Sequence, residues 1–217
     1  MRIPFYKKLA SYIYPIVLEH MEGIHHRNLS ILLYQGQLMM STTDAIYSYG
    51  TKYYPFGKPF AEMKKELPRL KSFLLLGTGL GSALKILQAD YKLFPKTVLV
   101  DYDEEILSLS VKYMGLNAKQ NVQWVCDDAA GYLHDNQEKF DLIGVDVFKG
   151  MFVPTSVRTD QFILDCTSAL NPNGICIWNM MFHKDSEEAE YEKRLQSRFT
   201  SVVRMNYKVN TFFICRI

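Results

Sequence analysis

The chain has 217 residues, of which 48% are hydrophobic and 22% are charged, and its formal net charge is +2. This length fits one large domain, or one domain with a small appendage, and the composition is typical of a globular protein with a sizeable core. A balanced charge without a long basic run argues against nucleic acid as the main partner, and no apolar stretch approaches the roughly 20 residues of a membrane span. We therefore expect no nucleic-acid or membrane partner, and the N-terminus predicts no signal peptide.

Cysteines and histidines give no sign of a disulfide framework or a metal site. Four cysteines lie in apolar segments without a C-x-x-C pair: Cys126, Cys166, Cys176 and Cys215. We expect them to be buried, reduced thiols of a cytoplasmic protein. The adjacent His25 and His26 have no third ligand nearby in the sequence, so no metal is predicted.

The first part of the chain predicts a helix, a small antiparallel β unit and a connecting helix. Residues 5–19 have the pattern of an amphipathic helix that Pro15 bends or ends. Strands are predicted at residues 29–34, 37–41 and 45–48, with a Gln-Gly hairpin turn between the first two. Pro59 is predicted to start a helix that continues to Leu67 and stops at Pro68.

From Ser72 onward, strand-like apolar runs alternate with helical patterns, which predicts a parallel sheet with helices on both faces. The predicted strands are residues 72–76, 97–101, 122–126, 140–146 and 175–180. The helices between them are residues 82–89, 104–114, 129–134 and 159–170, and a turn at 171–174 follows the last of these helices.

The C-terminal part predicts a charged surface helix at residues 186–199, followed by an antiparallel pair of strands at 201–207 and 210–217. The chain is therefore predicted to be an α/β protein with a Rossmann-like, mostly parallel seven-stranded sheet that ends in an antiparallel C-terminal hairpin. We predict two units, 1–68 with the N-terminal helix, β unit and connecting helix, and 69–217 as a nucleoside-binding catalytic domain.

A glycine-rich turn lies between the first predicted parallel strand and the helix after it. Gly77, Gly79 and Gly81 allow positive φ, leave no Cβ between backbone and ligand, and place N–H groups at a helix start. About twenty residues later, a second strand ends in Asp101, where a carboxylate can accept both ribose hydroxyls. The G-x-G-x-G spacing favours an S-adenosylmethionine-type site over a nicotinamide site. The alternative is a turn whose glycines serve only packing.

Carboxylates follow the ends of three predicted strands. Asp101 and Asp103 follow the second strand, Asp127 and Asp128 the third, and Asp146 the fourth. Because ligands bind beyond the carboxyl ends of parallel strands, we predict ligand roles for Asp101, Asp127 and Asp146. Asp103 and Asp128 fit the helix N-cap position equally well.

Taken together, these segments resemble the spermidine-synthase-like proteins, a polyamine aminopropyltransferase-like family within the class I S-adenosylmethionine-dependent methyltransferase fold. The resemblance covers most of the chain. It rests on residues 34–36, 47–50, 76–81, 100–103, 126–129 and 145–150, and the segment from Asp146 to Pro154 resembles a D-x-F-x-G-x-x-V-P pattern of that family.

This resemblance implies a site for a sulfonium nucleoside, either S-adenosylmethionine or its decarboxylated form, as donor. It implies that the three glycines approach the methionine-derived part and the ribose. Asp101 would hold the ribose hydroxyls, and Asp127, with Asp128 beside it, would contact the adenine. It also implies a homodimer through the N-terminal β unit.

The resemblance further implies an acceptor site for a small molecule. Asp146 matches the acid that helps to deprotonate an attacking amine. Residues 148–156, including Phe148 and Lys149, would form a loop that closes over the site. Tyr47 or Tyr49 would line the acceptor pocket.

Two family carboxylates are replaced in this chain. Spermidine synthases carry an aspartate where this chain has Leu80 and another in the lid where it has Lys149. A polyamine is a polycation, so these replacements disfavour it. The acid that methyltransferases often place before the glycine turn is also missing, because that stretch is Leu74-Leu75-Leu76.

Three hypotheses follow from the sequence. The main one is a transferase that moves a methyl or related alkyl group from an S-adenosylmethionine-type donor to a small acceptor, with Asp146 as base for an amine. The second is a true aminopropyltransferase that makes spermidine or a related polyamine, with Asp44, Asp128 or Asp160 replacing the missing carboxylates. The third is a non-catalytic nucleoside-binding or structural protein.

Overall fold

The computed structural model describes residues 3–22, 28–43, 45–114 and 121–217. The histidine pair at 25 and 26 and the candidate carboxylate Asp44 lie outside the described residues. Within the described ranges, the helices are too short or too polar to cross a membrane.

The N-terminal part contains a short helix and a four-stranded antiparallel sheet of order β1-β2-β3-β4. The helix is α1 (Phe5–Ala10), and the strands are β1 (Ile16–Met21), β2 (Leu29–Tyr34), β3 (Gln37–Ser41) and β4 (Ile46–Tyr49). The predicted hairpin and third strand are therefore present, and β1 is an additional strand.

The helix predicted over residues 5–19 is wrong after Ala10, where a short turn leads into an extended strand and Ser11 is hydrogen-bonded to a distant hairpin. The carbonyl oxygen of Ser11 accepts a hydrogen bond from the amide of Gln35 (2.8 Å), and its hydroxyl accepts one from the amide of Gly36 (3.0 Å). After Pro15 the chain extends along β2 as an antiparallel strand. Tertiary pairing thus overrides the local helical pattern.

Helix α2 (Tyr54–Glu62) begins five residues before the predicted start at Pro59 and ends before Leu67. Pro55 lies in the first turn, where its missing N–H group costs little. Pro59 lies inside the helix, where proline removes a backbone hydrogen bond. The side chains of Phe56 and Phe60 are fully buried, and their burial stabilises the helix despite that loss.

The second sheet has seven strands in the order β10-β11-β9-β8-β5-β6-β7. Its strands are β5 (Ser72–Leu76), β6 (Lys96–Asp101), β7 (Val122–Cys126), β8 (Phe140–Val145), β9 (Leu170–Met180), β10 (Ser201–Tyr207) and β11 (Asn210–Arg216). The helices around them are α3 (Ser82–Asp90), α4 (Glu104–Tyr113), α5 (Ala129–Asp135), α6 (Asp160–Ser168) and α7 (Asp185–Gln196).

This sheet confirms the predicted fold class. Strands β5 to β9 are parallel, whereas β11 runs antiparallel to β9 and to β10. The chain builds outward from β5 to β7, then returns to place β8 on the other side of β5. In an open α/β sheet, ligands bind at such a reversal of strand order, beyond the carboxyl ends of the strands.

Two smaller predictions need correction. The turn predicted at residues 171–174 lies within β9, as a bulge between the pairs Phe140–Leu170 and Leu142–Ile175. Of the four cysteines, Cys126 is exposed, because it ends β7 at the edge of the sheet. The other three are buried, as predicted.

Helix α2 packs against the centre of the large sheet. A Cβ on Gly144, in the middle of β8, would lie 2.8 Å from Cε1 of Phe56, so the phenyl ring occupies the space above this glycine. The ring of Phe60 packs beside that of Phe56, with the two ring centroids 5.5 Å apart. The predicted division between residues 68 and 69 stays a prediction, although α2 shares its core with the sheet of the second unit.

Truncation of the Phe56 side chain is expected to destabilise the protein strongly. Phe56→Ala should lower the free energy of unfolding by about 3–5 kcal/mol, because it removes a fully buried ring and leaves a cavity above Gly144. The control is Phe94→Ala, where the side chain is 59% exposed and the change should stay within about 0.5 kcal/mol. Urea unfolding of both variants measures the difference, and equal midpoints would contradict this packing account.

Candidate functional site

A cavity of about 450 Å³ lies at the carboxyl ends of the central strands, where the strand order reverses. Residues from β4, from the start of α2 and from the turn between β10 and β11 form its other walls. Pockets for small molecules are typically about 300–1,000 Å³. The site therefore has the size and the position in the fold that a nucleoside-sized ligand needs.

The glycine turn is held by close backbone contacts. Gly77 and Gly79 line the cavity, and all three glycines have positive φ (+87°, +51° and +69°). A Cβ on Gly77 would collide with the backbone carbonyl of Asp146, and one on Gly79 would lie 2.6 Å from the carbonyl oxygen of Tyr47. Gly81 lies outside the lining, against Met114, so its observed contacts are those of packing.

Asp101, at the end of β6, is buried and fixes the glycine turn. Its Oδ2 accepts a hydrogen bond from the amide of Thr78 (2.9 Å), and its Oδ1 accepts one from the amide of Asp103 (3.2 Å). Burial raises the pKa of Asp101 to about 6, although these backbone donors act in the opposite direction. The carboxylate also lines the cavity, as predicted for a group that binds a ribose.

Of the other carboxylates at the strand ends, some cap helices, some line the cavity, and one does both. Asp103 caps α4 by accepting from the amide of Glu105 (2.8 Å) and lies outside the cavity lining. Asp128 caps α5 by accepting from the amides of Ala130 (2.9 Å) and Gly131 (3.2 Å), and it also lines the cavity. Asp127 is exposed at the cavity edge, where its Oδ1 accepts from the amide of Asp128 (2.8 Å).

Asp146 follows β8 and is held by two side-chain donors. The hydroxyl of Tyr53 donates to its Oδ2 (2.8 Å), and the amide nitrogen of Asn179 donates to its Oδ1 (2.7 Å). The carboxylate lines the cavity. Burial raises the pKa of Asp146 to about 6, its two hydrogen bonds lower it, and the charge of Asp101 adds to the rise. Asp146 is therefore a base whose pKa lies near neutral pH.

A polar relay behind Asp146 involves residues that the sequence analysis missed. Asn179 accepts a hydrogen bond from the side chain of Asn210 (2.8 Å), and Asn210 accepts one from the hydroxyl of Tyr54 (2.6 Å). Asn179 lies near the end of β9, so extending the strand-end argument to the fifth strand would have found it. Tyr53 and Tyr54 come from the start of α2, and no local pattern indicated their role.

The predicted acceptor and lid residues only partly meet at the cavity. Tyr47, Tyr49 and Phe148 line it, and the hydroxyl of Tyr47 accepts a hydrogen bond from the amide of Gly150 (2.8 Å). The backbone of Lys149 pairs with that of Phe152 in a narrow turn. The side chain of Lys149 is exposed and is not part of the lining, so the structure does not bring it to the site.

Leu80 and Asp160, two of the positions that bear on the missing family carboxylates, lie away from the cavity, whereas Asp128 lines it. Leu80 is 7% exposed and packs in an apolar cluster with residues of β2, β3 and α4. Asp160, one suggested replacement, pairs with Arg194 (2.6 Å) outside the lining. Among the described residues, no group of three or more histidine, cysteine, aspartate or glutamate side chains is arranged to hold a metal ion.

Comparisons with known proteins identify the family and the fold. The family model described as the spermine/spermidine synthase domain matches residues 60–215. A polyamine aminopropyltransferase of Clostridium botulinum (strain Eklund 17B / Type B) is 24% identical over 154 residues, which are 69% of this chain and 52% of the relative. This chain thus spans about half the length of the curated relatives that it matches.

Two solved structures share the fold. A spermidine synthase in complex with the transition state analogue AdoDATO aligns with a TM-score of 0.71 and 16% identity, over 93% of this chain and 73% of that chain. Human methyltransferase-like protein 13 in complex with SAH aligns with a TM-score of 0.60 and 18% identity, over 70% of this chain and 73% of that chain. Both confirm the predicted Rossmann-like methyltransferase fold.

The raised pKa of Asp146 predicts a pH-dependent stability. A carboxyl group with a pKa of about 6 in the folded protein and an ordinary value of 3.8 stabilises the fold below pH 4, and this contribution is lost as the pH rises through 6. The unfolding free energy of the native protein should therefore fall by about 1–3 kcal/mol relative to Asp146→Asn between pH 4 and pH 7. Urea unfolding across this range measures it, and a difference independent of pH would contradict the assignment.

Proposed function

This chain belongs to the spermine/spermidine synthase family, and on that premise we propose that it transfers an aminopropyl group from decarboxylated S-adenosylmethionine to an amine. The observation that carries the proposal is the placement of Asp146. Its carboxylate lines the cavity one strand away from the glycine turn, and two side-chain donors fix its orientation.

The proposed donor end of the cavity follows the order of the strands. The glycine turn ends β5, Asp101 ends β6, and Asp127 and Asp128 follow β7. Gly77 and Gly79 line this end of the cavity with backbone, and in the proposed complex Asp101 accepts from ribose hydroxyls. Asp127 would accept from the adenine amino group. The relative that carries AdoDATO and the one that carries SAH share the fold on which these positions lie.

The charges of the lining support the decarboxylated donor. Decarboxylated S-adenosylmethionine has a sulfonium and an ammonium group but no carboxylate. Four aspartates line the described cavity, and their negative charges attract both cations: Asp101, Asp127, Asp128 and Asp146. An opposite charge in a partly desolvated site stabilises a cation more than it would in water.

In the proposed reaction, the nitrogen lone pair of the acceptor attacks the propyl carbon bonded to sulfur. The new N–C bond forms as the C–S bond breaks, and a neutral thioether leaves. Asp146 takes the proton that the amine must lose, and its pKa of about 6 leaves it deprotonated at neutral pH. Tyr53 and Asn179 hold the carboxylate in place for this transfer.

Methyl transfer, the main hypothesis from the sequence, has less support than aminopropyl transfer. The family match and the curated relatives carry polyamine names, whereas the methyltransferase neighbour is 18% identical and speaks to the fold alone. A cytoplasmic location, a small-molecule acceptor and the absence of a nucleic-acid partner stay predictions.

The donor preference and the role of Asp146 can be tested together. Calorimetric titration should show tighter binding of decarboxylated than of intact S-adenosylmethionine. Mass spectrometry should detect an aminopropylated amine. Asp146→Asn should lower kcat by about 10²–10⁴-fold with little change in donor affinity, because it removes the base but keeps the shape. Asp90→Asn, at the exposed end of α3, is the matched control and should react like the native protein.

Two results would overturn the proposal. Binding of neither donor would favour the non-catalytic hypothesis. A methylated acceptor formed from intact S-adenosylmethionine would restore the methyltransferase hypothesis.

We also propose that the protein is a homodimer through its N-terminal unit. Large apolar side chains of this unit are exposed to solvent: Phe5, Tyr6, Leu9, Tyr12 and Ile13. Exposed apolar patches of this kind mark protein–protein contacts. Sedimentation velocity should give twice the 25.2 kDa of one chain. Ile13→Asp should shift the protein to monomer, and Phe94→Asp should not; a monomeric native protein would refute the proposal.

A further inference from the structure

The order of the strands arranges the cavity residues along one line. From β7 to β11, the rim presents Asp127, Asp101, Gly77, Asp146 and Asn179, and Asn210 starts β11 at the same edge. The donor carboxylates therefore lie on one side of Asp146. The other side, beside β9 and the turn between β10 and β11, is left for the acceptor if the proposed transfer is correct.

The cavity lining also carries positive charge. Among the described residues that line the cavity, the lysines are Lys52 and Lys208, and Lys208 lies on the acceptor side, in the turn between β10 and β11. A diamine acceptor has a second ammonium group at its far end. That group would approach Lys208 rather than a carboxylate, and like charges that approach each other in a cleft oppose binding.

Lys208 is held at the mouth of the cavity by its backbone and by its ring contacts. It lies in the tight turn between β10 and β11 with φ of +56°, a conformation in which glycine or asparagine is usual and lysine is uncommon. Its ammonium lies 4.9 Å from the ring centre of Tyr54 and 5.8 Å from that of Tyr207. Tyr54 is the tyrosine that ends the relay from Asp146, so Lys208 and the base are attached to one network.

The distance along the rim between Asp146 and the Lys208 turn limits the length of the acceptor. Two strand spacings separate β8, which precedes Asp146, from β11, which follows the Lys208 turn. Neighbouring strands are about 4.8 Å apart, so the ends of β8 and β11 lie roughly 10 Å apart at the level of the sheet. A chain of about four carbons, with one hydrogen bond at each end, covers this distance.

We propose that the acceptor is an amine with a carboxylate at its far end, an ω-amino acid, and that Lys208 binds that carboxylate. The inference rests on the proposed aminopropyl transfer and specifies its substrate class. The amine nitrogen attacks the propyl carbon, the C–S bond breaks, and Asp146 takes the proton. The carboxylate stays unchanged and paired with Lys208.

Three acceptors with the same four-carbon chain test the proposal: 4-aminobutanoate, 1,4-diaminobutane and butylamine. With decarboxylated S-adenosylmethionine as donor, kcat/KM should be at least about tenfold higher for 4-aminobutanoate than for the diamine. Lys208→Met should raise KM for 4-aminobutanoate about 10- to 100-fold and leave butylamine within about twofold. Lys58→Met is the matched control, because Lys58 also stacks on Tyr207 (4.4 Å) but lies outside the cavity lining.

The outcomes separate this inference from the proposed transfer. Preference of the native protein for the diamine would overturn the inference and leave aminopropyl transfer intact. If no acceptor reacts, calorimetry with each acceptor decides. Binding of 4-aminobutanoate that depends on Lys208 would support the inference even though the transfer fails. If 4-aminobutanoate does not bind, the inference is overturned. A Lys208→Met variant that instead loses affinity for intact S-adenosylmethionine would also overturn it, because the lysine would then serve the donor. Thermal unfolding of the variants confirms that they are folded.

Discussion

The contact between the backbones of Gly77 and Asp146 is the constraint on which the site depends. The amide of Asp146 donates to the carbonyl of Leu76 (2.8 Å), and the space where Gly77 would carry a side chain is taken by the carbonyl of Asp146. The glycine turn, where we propose the donor binds, and Asp146, where we propose the acceptor binds, are thus joined without an intervening side chain. This closeness follows from the return of the chain to place β8 beside β5.

Electrostatics around that contact divide the cavity. Two carboxylates with raised pKa, Asp101 and Asp146, lie on either side of the glycine turn, and burial is the main cause of both shifts. Tyr53 and Asn179 offset part of the cost of burying the Asp146 carboxylate, because they donate hydrogen bonds to its two oxygens. A carboxylate near its pKa, held in one orientation, suits proton transfer better than a solvated one. Beyond it, Lys208 reverses the sign of the charge and so discriminates among acceptors.

The family match supports the proposed reaction, whereas the residues that line the cavity support the proposed acceptor. The match to the spermine/spermidine synthase domain supports the reaction, because it covers residues 60–215 and so includes the glycine turn and Asp146. It does not specify the acceptor. Leu80 lies in an apolar cluster, where a charged anchor would be buried without a partner, and Lys149 lies outside the cavity lining. The acceptor is therefore inferred from what does line the cavity.

The seven-stranded sheet, the glycine turn and the strand-end carboxylates could be predicted from the amino-acid sequence. These features depend on local patterns, since buried parallel strands are continuous apolar runs and turns need glycine. The folded structure was needed to tell which carboxylates cap helices, as Asp103 does, and which face the cavity, as Asp146 does. It also decided that residues 16–21 form a strand, and that Tyr53, Asn179 and Lys208 join the site. The physical reason is that these roles depend on contacts between residues far apart in the chain, such as the bond between Tyr53 and Asp146, which no local periodicity records.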